Sequence, residues 1–188
     1  NTIRILASGR IQDKTKGFTY LVKACESLRE DFPNIELICT SPWQPEYPSW
    51  VKFIGWHGYH KLPEVYRMAN ICVVPSIWEE PFGLVTLEAM ATGIPVIASR
   101  IGGLKEIIID RKTGLLFSPG DSESLKEKLF VLLSDVQLQM RISKEAREYI
   151  LKNYTWEKIV ANYYLKEMQN IIEKNKLRRE NRDKKIPH

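Results

Sequence analysis

Short apolar runs alternate along the chain with longer stretches whose apolar positions recur every three or four residues. Ile3–Ser8 reads as a strand, and Gly9–Gly17 as a loop. Phe18–Asp31 predicts a helix, with Leu21, Val22, Cys25 and Leu28 on one stripe, broken by Pro33 and Asn34. Ile35–Cys39 is a second strand, Ser41–Ser49 a proline-rich loop, and Val51–Ile54 a third strand ended by Gly55. Leu62–Ala69 predicts a short helix, Ile71–Val74 a fourth strand, and Gly83–Ala91 a helix with Gly93 placed to cap its C-terminus. Pro95–Ala98 is a fifth strand, Gly102-Gly103 a turn before the short helix Leu104–Ile109, and Gly114–Phe117 a last strand. Three helices follow, Ser122–Leu133, Gln137–Asn153 and Trp156 to about Lys176, with Ser122 and Thr155 as N-caps.

Strand and helix in alternation imply parallel strands joined by right-handed crossovers. The unbroken run Ile71–Val74 has the pattern of a strand buried on both faces, the habit of parallel sheets. The expected fold is therefore α/β: a doubly wound, Rossmann-like parallel sheet with a helical C-terminus. Such sheets bind ligands beyond the carboxyl ends of the strands. The loops that matter are then Gly9–Gly17, Gly55–Lys61, Ser76–Gly83 and Ser99–Gly103.

Composition narrows this reading. At 188 residues, 44% hydrophobic and 27% charged, the chain suits one globular domain and not a disordered segment. The expected division is a domain over residues 1–170 and a charged helical tail over 171–188. Much of the formal +5 charge lies in that tail, at Lys174, Lys176, Arg178, Arg179, Arg182, Lys184 and Lys185. The tail reads as a solvated helix end suited to touching anionic lipid headgroups. Nucleic acid is excluded as a partner, because no aromatic interleaving or nucleic-acid motif accompanies the charge.

Cys25, Cys39 and Cys72 are odd in number and sit in apolar segments, as expected of buried free thiols in a reducing cytoplasm. His57, His60 and His188 show no metal-ligand spacing with carboxylates, so no metal and no cofactor are expected. Trp43, Trp50, Trp56, Trp78 and Trp156 read as packing residues, with Trp78 the one candidate to touch a ligand, since it lies in the loop after the fourth strand. No apolar run has the length of a bilayer span. The start on a strand without a leader is what a domain taken from a longer protein would show.

Two loops carry the candidate chemistry. Gly9-Arg10 and Lys16-Gly17 place two cations beside a helix start, where a forked guanidinium, a compact ammonium and free N–H groups suit a diphosphate. A solvated basic loop has the same composition. The spacing is neither the P-loop nor the G-x-G-x-x-G fingerprint, which makes an NAD-dependent dehydrogenase a poor rival. In Pro75–Ala89, Gly83 lets backbone approach a ligand, and the amides of Gly83, Leu84 and Val85 face outward at a positive dipole end. Glu80 and Glu88 are eight residues apart and suit hydrogen bonding to vicinal hydroxyls; each alone also reads as an ordinary helix-associated acid.

The stretch from Glu80-Pro-Phe-Gly to Glu88-Ala-Met-Ala-Thr-Gly-Ile-Pro-Val-Ile resembles the E-x7-E signature of group 1 retaining GT-B glycosyltransferases. Gly9-Arg10 with Lys16-Gly17, Val51–Gly55, Pro75-Ser76, Gly102-Gly103 with Glu106, Thr113–Phe117 and Tyr154-Thr155-Trp156 follow in that family's order, over about residues 3 to 160. The resemblance implies a C-terminal donor domain that binds a UDP-, GDP- or ADP-sugar and transfers a hexose with retention. It implies Arg10, Lys16 and Glu80 as catalytic residues. It assigns donor contacts to Gly9, Gly55, Trp56, Phe82, Gly83, Leu84, Val85 and Glu88, with Glu88 on the ribose and Gly55-Trp56 near the base. The acceptor, whether glycan, lipid carrier or small molecule, belongs to an N-terminal domain that this chain does not supply, so the chain alone is expected to be inactive. Thr40-Ser41-Pro42-Trp43 replaces the family's usual glycine pair, and Glu79 duplicates the charge beside Glu80. The rival reading is a non-catalytic binding or assembly module that pairs with a separate acceptor subunit.

Overall fold

The computed structural model describes residues 2–42 and 45–183; Trp43, Lys184, Lys185 and His188, singled out above, lie outside the described residues. Six strands form one sheet: β1 (Ile3–Ala7), β2 (Ile35–Cys39), β3 (Val51–Phe53), β4 (Ile71–Val74), β5 (Val96–Ser99) and β6 (Leu115–Phe117). The order is β3-β2-β1-β4-β5-β6, and every neighbouring pair is parallel. β4 and β5 are buried at all four positions, as unbroken apolar runs in a doubly covered sheet must be. The chain moves outward from β1 to β3 on one side and from β4 to β6 on the other. Right-handed crossovers taken in opposite directions put helices on both faces, and the switch point falls between β1 and β4.

The crossover helices are α1 (Phe18–Leu28), α2 (Leu62–Arg67), α3 (Leu84–Thr92) and α4 (Leu104–Ile107); α5 (Ser122–Ser134) and α6 (Val136–Asn153) follow the sheet. α1 buries Phe18, Leu21, Ala24, Cys25 and Leu28 and packs against α5, whose Leu125, Leu129 and Leu132 are buried in turn. α2 packs on α3, and α3 on α4. The differences from the sequence reading sit at element ends: four strands shift or shorten by a residue, and helix ends move. α3 starts at Leu84 because Gly83 takes φ +79°, outside helical geometry. Asp121, not Ser122, caps α5: its carboxylate accepts from the N–H groups of Glu123 and Ser124, and a carboxylate also complements the helix dipole. Gly93 caps α3 in the left-handed conformation.

The chain divides into a unit through Ile150 and a second from Leu151 onward. The second is helical by itself. Thr155 accepts from Lys158 N–H at the start of α7 (Trp156–Ile159), a π-helical segment spans Val160–Tyr164, and α8 (Leu165–Asp183) follows. Among the described residues no helix is long and apolar enough to cross a membrane.

The tryptophans do not share one role. Trp50 packs against the core, with the Arg29 guanidinium 5.3 Å from its ring centroid. Trp56 and Trp156 are 77% and 71% exposed, so neither is the packing residue expected of it. The reason is local: each stands in a turn or at a helix start that presents side chains outward.

Cys25, Cys39 and Cys72 are buried free thiols. Burial pushes Cys39 and Cys72 up to about 12 and moves Cys25 in the same direction. A thiolate is the reactive species, so a raised pKa and lack of access act together. Native protein at pH 8 is expected to resist a thiol-directed colorimetric reagent, with all three groups reacting after guanidinium unfolding. Fast labelling of the native chain would contradict this placement.

Candidate functional site

Because β1 and β4 are neighbours, the loops that leave their carboxyl ends meet. After β1, Asp13 caps a 3-10 turn, Lys14–Lys16. Its carboxylate accepts from the Thr15 hydroxyl at 2.6 Å and the Thr15 N–H at 2.9 Å, which holds it below the usual carboxylate range. Gly17 ends the turn at φ +67°, and a Cβ there would stand 1.9 Å from the Pro75 carbonyl oxygen. One residue pair further on, Ile77 N–H donates to Thr15 O at 2.8 Å. The two loops are therefore hydrogen-bonded to each other, and Lys16 faces Glu80.

Lys16 Nζ donates to both Glu80 oxygens, at 3.1 Å to Oε1 and 2.8 Å to Oε2. Both side chains are largely shielded, at 23% and 17% exposure. Ser76 Oγ and Trp78 Nε1 also donate to Glu80 Oε2, each at 3.1 Å. Glu79 is exposed, which leaves Glu80 as the acid turned toward the lysine. The turn after β5 supports this loop from below: Gly103 N–H donates to Glu80 O at 2.7 Å. A Cβ on Gly102 would lie 2.4 Å from that same oxygen.

A cavity of about 460 Å³ opens here, walled by Arg10, Lys16 and Glu80 and by Phe82–Val85 at the start of α3. Leu84 and Val85 open the helix, so their N–H groups have no intrahelical acceptor. A second cavity of about 350 Å³ adjoins it, shares Gly9, Arg10 and Val85 with it, and adds Trp56, His57 and Glu88. Arg10 is exposed and has no ion-pair partner among the described residues.

Of the sequence candidates, Gly9, Arg10, Lys16, Glu80, Phe82, Gly83, Leu84, Val85, Trp56 and Glu88 line these two adjoining cavities. Gly55 lines neither; at φ +77° it turns the chain so that Trp56 and His57 do. Among the described residues no group of three or more His, Cys, Asp or Glu could hold a metal ion.

Three contacts were not legible in the sequence. Tyr66, buried in α2, donates its hydroxyl to Glu88 Oε2 at 2.8 Å, and burial holds it as the neutral phenol. Thr40, in place of the glycine pair, accepts from Gly9 N–H at 3.0 Å and donates to Ser8 Oγ at 3.3 Å. That occupies the Gly9 amide. Ser76 and Trp78 are the third, and only their closeness to Glu80 along the chain hinted at the contact.

Comparison with known proteins follows this geometry. The family model for glycosyl transferases group 1 matches residues 2–135. D-inositol 3-phosphate glycosyltransferase of Corynebacterium efficiens is 34% identical over 165 residues, which are 79% of this chain and 38% of that protein. Sucrose-phosphate synthase from Thermosynechococcus elongatus superposes with a TM-score of 0.80 at 30% identity, over 92% of this chain and 46% of that one. Anabaena HepE, solved with UDP and glucose, has a TM-score of 0.78 at 22% identity, over 90% of this chain and 48% of that one, a likeness of fold alone. The chain thus spans about two fifths of the length of the curated relatives it matches. With the family model covering the whole sheet and both cavities, the chain belongs to the group 1 glycosyltransferases of GT-B architecture.

Proposed function

We propose that the chain is the donor-binding domain of a retaining glycosyltransferase, taking a UDP-, GDP- or ADP-linked hexose. One observation carries the reading: Arg10, Lys16, the α3 N-terminus and Glu80 converge on one cavity, and Glu88 lines the cavity beside it. The first cavity suits the diphosphate and sugar, the second the ribose and base. HepE, of the same fold, was solved with UDP-glucose as well as with UDP and glucose, which supports a nucleotide sugar as the ligand class.

In transfer, the bond from the anomeric carbon to the phosphate oxygen breaks, and its electron pair passes to the nucleotide diphosphate. The acceptor hydroxyl oxygen bonds to the same carbon, and its proton passes to the departing phosphate oxygen. Arg10, Lys16 and the helix dipole stabilise the charge that develops on the leaving group, the preplaced electrostatic type of catalysis. Glu80 holds the sugar, and Glu88 accepts from the ribose hydroxyls. Trp56, Phe82 and Leu84 stay exposed around the cavities, a rim that suits an acceptor-binding domain closing over the donor. The same rim suits the rival reading, a binding module that pairs with a separate subunit. We place the reaction in the reducing cytoplasm, on the unpaired thiols, with the basic residues from Lys174 onward toward anionic lipid.

Calorimetric titration with UDP, GDP and ADP tests the reading. One of the three is expected to bind, and Arg10→Ala is expected to weaken it by roughly 1.5–3 kcal/mol through loss of a charge-assisted hydrogen bond. Absence of binding to all three at millimolar concentration would overturn the donor role.

Gly102→Ala drives a methyl group into the Glu80 backbone. It should therefore displace Glu80 and weaken binding of the nucleotide sugar more than that of the bare nucleotide. Equal affinities for both ligands before and after the change would refute this link. Retention is read on the full-length enzyme by proton NMR of the first product formed. An inverted anomeric signal excludes it.

A further inference from the structure

We infer that Ser76 and Trp78 are positioning residues that decide which oxygen of Glu80 meets the donor sugar, an inference that rests on the donor-site reading above. The Glu80 carboxylate takes hydrogen bonds from three side chains. They are not spread evenly. Ser76 Oγ and Trp78 Nε1 both donate to Oε2, while Oε1 has Lys16 Nζ as its donor and no other among the described residues.

The three donors differ in how they respond to a diphosphate. Lys16 is a cation on a flexible stem, and it lines the same cavity as Arg10 and the α3 N-terminus. A diphosphate entering there carries more negative charge than one carboxylate and draws the ammonium toward it. Ser76 and Trp78 are neutral donors and feel no such pull. They lie four and two residues before Glu80 on the same loop, so their bonds are local to that loop. Ser76 is buried, which limits its hydroxyl to near partners. When Lys16 turns to phosphate, Oε2 keeps two donors and Oε1 loses its one. Oε1 then stands as an open acceptor on the cavity wall, suited to a sugar hydroxyl.

Trp78 lines neither cavity, which argues against a sugar-stacking role for its ring. The ring instead lies 5.5 Å from Lys16 Nζ, a cation–π distance, so the indole stands beside the ion pair and braces both partners. A phenylalanine keeps the ring and removes the N–H, which separates the two effects.

The test uses the whole 188-residue chain and its Trp78→Phe, Ser76→Ala and Ser76→Thr variants. Each is titrated calorimetrically with UDP and UDP-glucose, GDP and GDP-mannose, and ADP and ADP-glucose, the pair analysed being the one whose nucleotide the unaltered chain binds. Trp78→Phe and Ser76→Ala are expected to leave the nucleotide dissociation constant within about twofold and to weaken the nucleotide sugar roughly tenfold, with Ser76→Thr restoring it. A general structural role would weaken both ligands alike, and that result overturns the inference, as does no change in either. If the unaltered chain gains nothing from the sugar over the bare nucleotide, the inference falls while the phosphate site stands. If it binds none of the six, the donor reading itself falls, and the inference with it.

Discussion

The site depends on how closely two loops can pass. Gly17 comes so near the Pro75 carbonyl that no side chain fits, and its φ of +67° is one that L residues rarely take. That approach lets Ile77 N–H reach the Thr15 carbonyl and joins the loop after β1 to the loop after β4. β5 is the next strand, and its Gly102-Gly103 turn sits as tightly against the Glu80 backbone. Three adjacent parallel strands thus deliver three loops stacked at one sheet end. The closest approaches in the stack are made at glycines, because backbone is packing on backbone. Lys16 and Glu80, 64 residues apart in sequence, become partners only through this stack.

The charge pattern follows from it. Lys16 and Glu80 are mostly shielded from water, so each has given up hydration that the other must replace. An empty site with either partner missing would leave a poorly solvated charge. Arg10, by contrast, is exposed and unpaired among the described residues, and the α3 N-terminus adds a partial positive charge. The larger cavity therefore carries a positive excess where Arg10 and the α3 N-terminus line it, with Lys16 and Glu80 offsetting each other. Glu88 lies in the smaller cavity and takes the neutral Tyr66 phenol as a hydrogen-bond donor. One groove so holds a cationic region and an acidic one, which is the polarity of a nucleotide diphosphate beside its own hydroxyl groups.

The sheet could be read from the chain because each strand is a short, mostly apolar stretch bounded by breakers; β2 and β4 match the reading residue for residue. Helix ends were less legible. Asp121 and Ser122 are both good caps, and only the backbone conformation decides between them. Arg10, Lys16, Glu80 and Glu88 were legible as a spaced series, and their roles came from family resemblance and not from the spacing itself. The contacts of Tyr66 and Thr40 were not legible, because Tyr66 meets Glu88 across 22 residues and Thr40 meets Gly9 across 31. Both look like ordinary core or strand-end residues in one dimension. Trp56 was misread for a related reason: a large aromatic usually signals a core, and here it marks a turn held open by Gly55.

The two glutamates share a feature that neither sequence motif nor cavity outline expresses. One oxygen of each takes neutral donors, Ser76 and Trp78 beside Lys16 for Glu80 and Tyr66 for Glu88. A neutral donor orients a carboxylate without cancelling its charge. The remaining oxygen stays a strong acceptor, because hydrogen bonds to an ionised group are roughly twice as strong as those between neutral groups. Where a cation does pair with one of these acids, it is Lys16, the residue whose own cavity offers it a better anion. On the proposed donor reading, the arrangement keeps the acids directed and leaves the mobile cation for the group that departs.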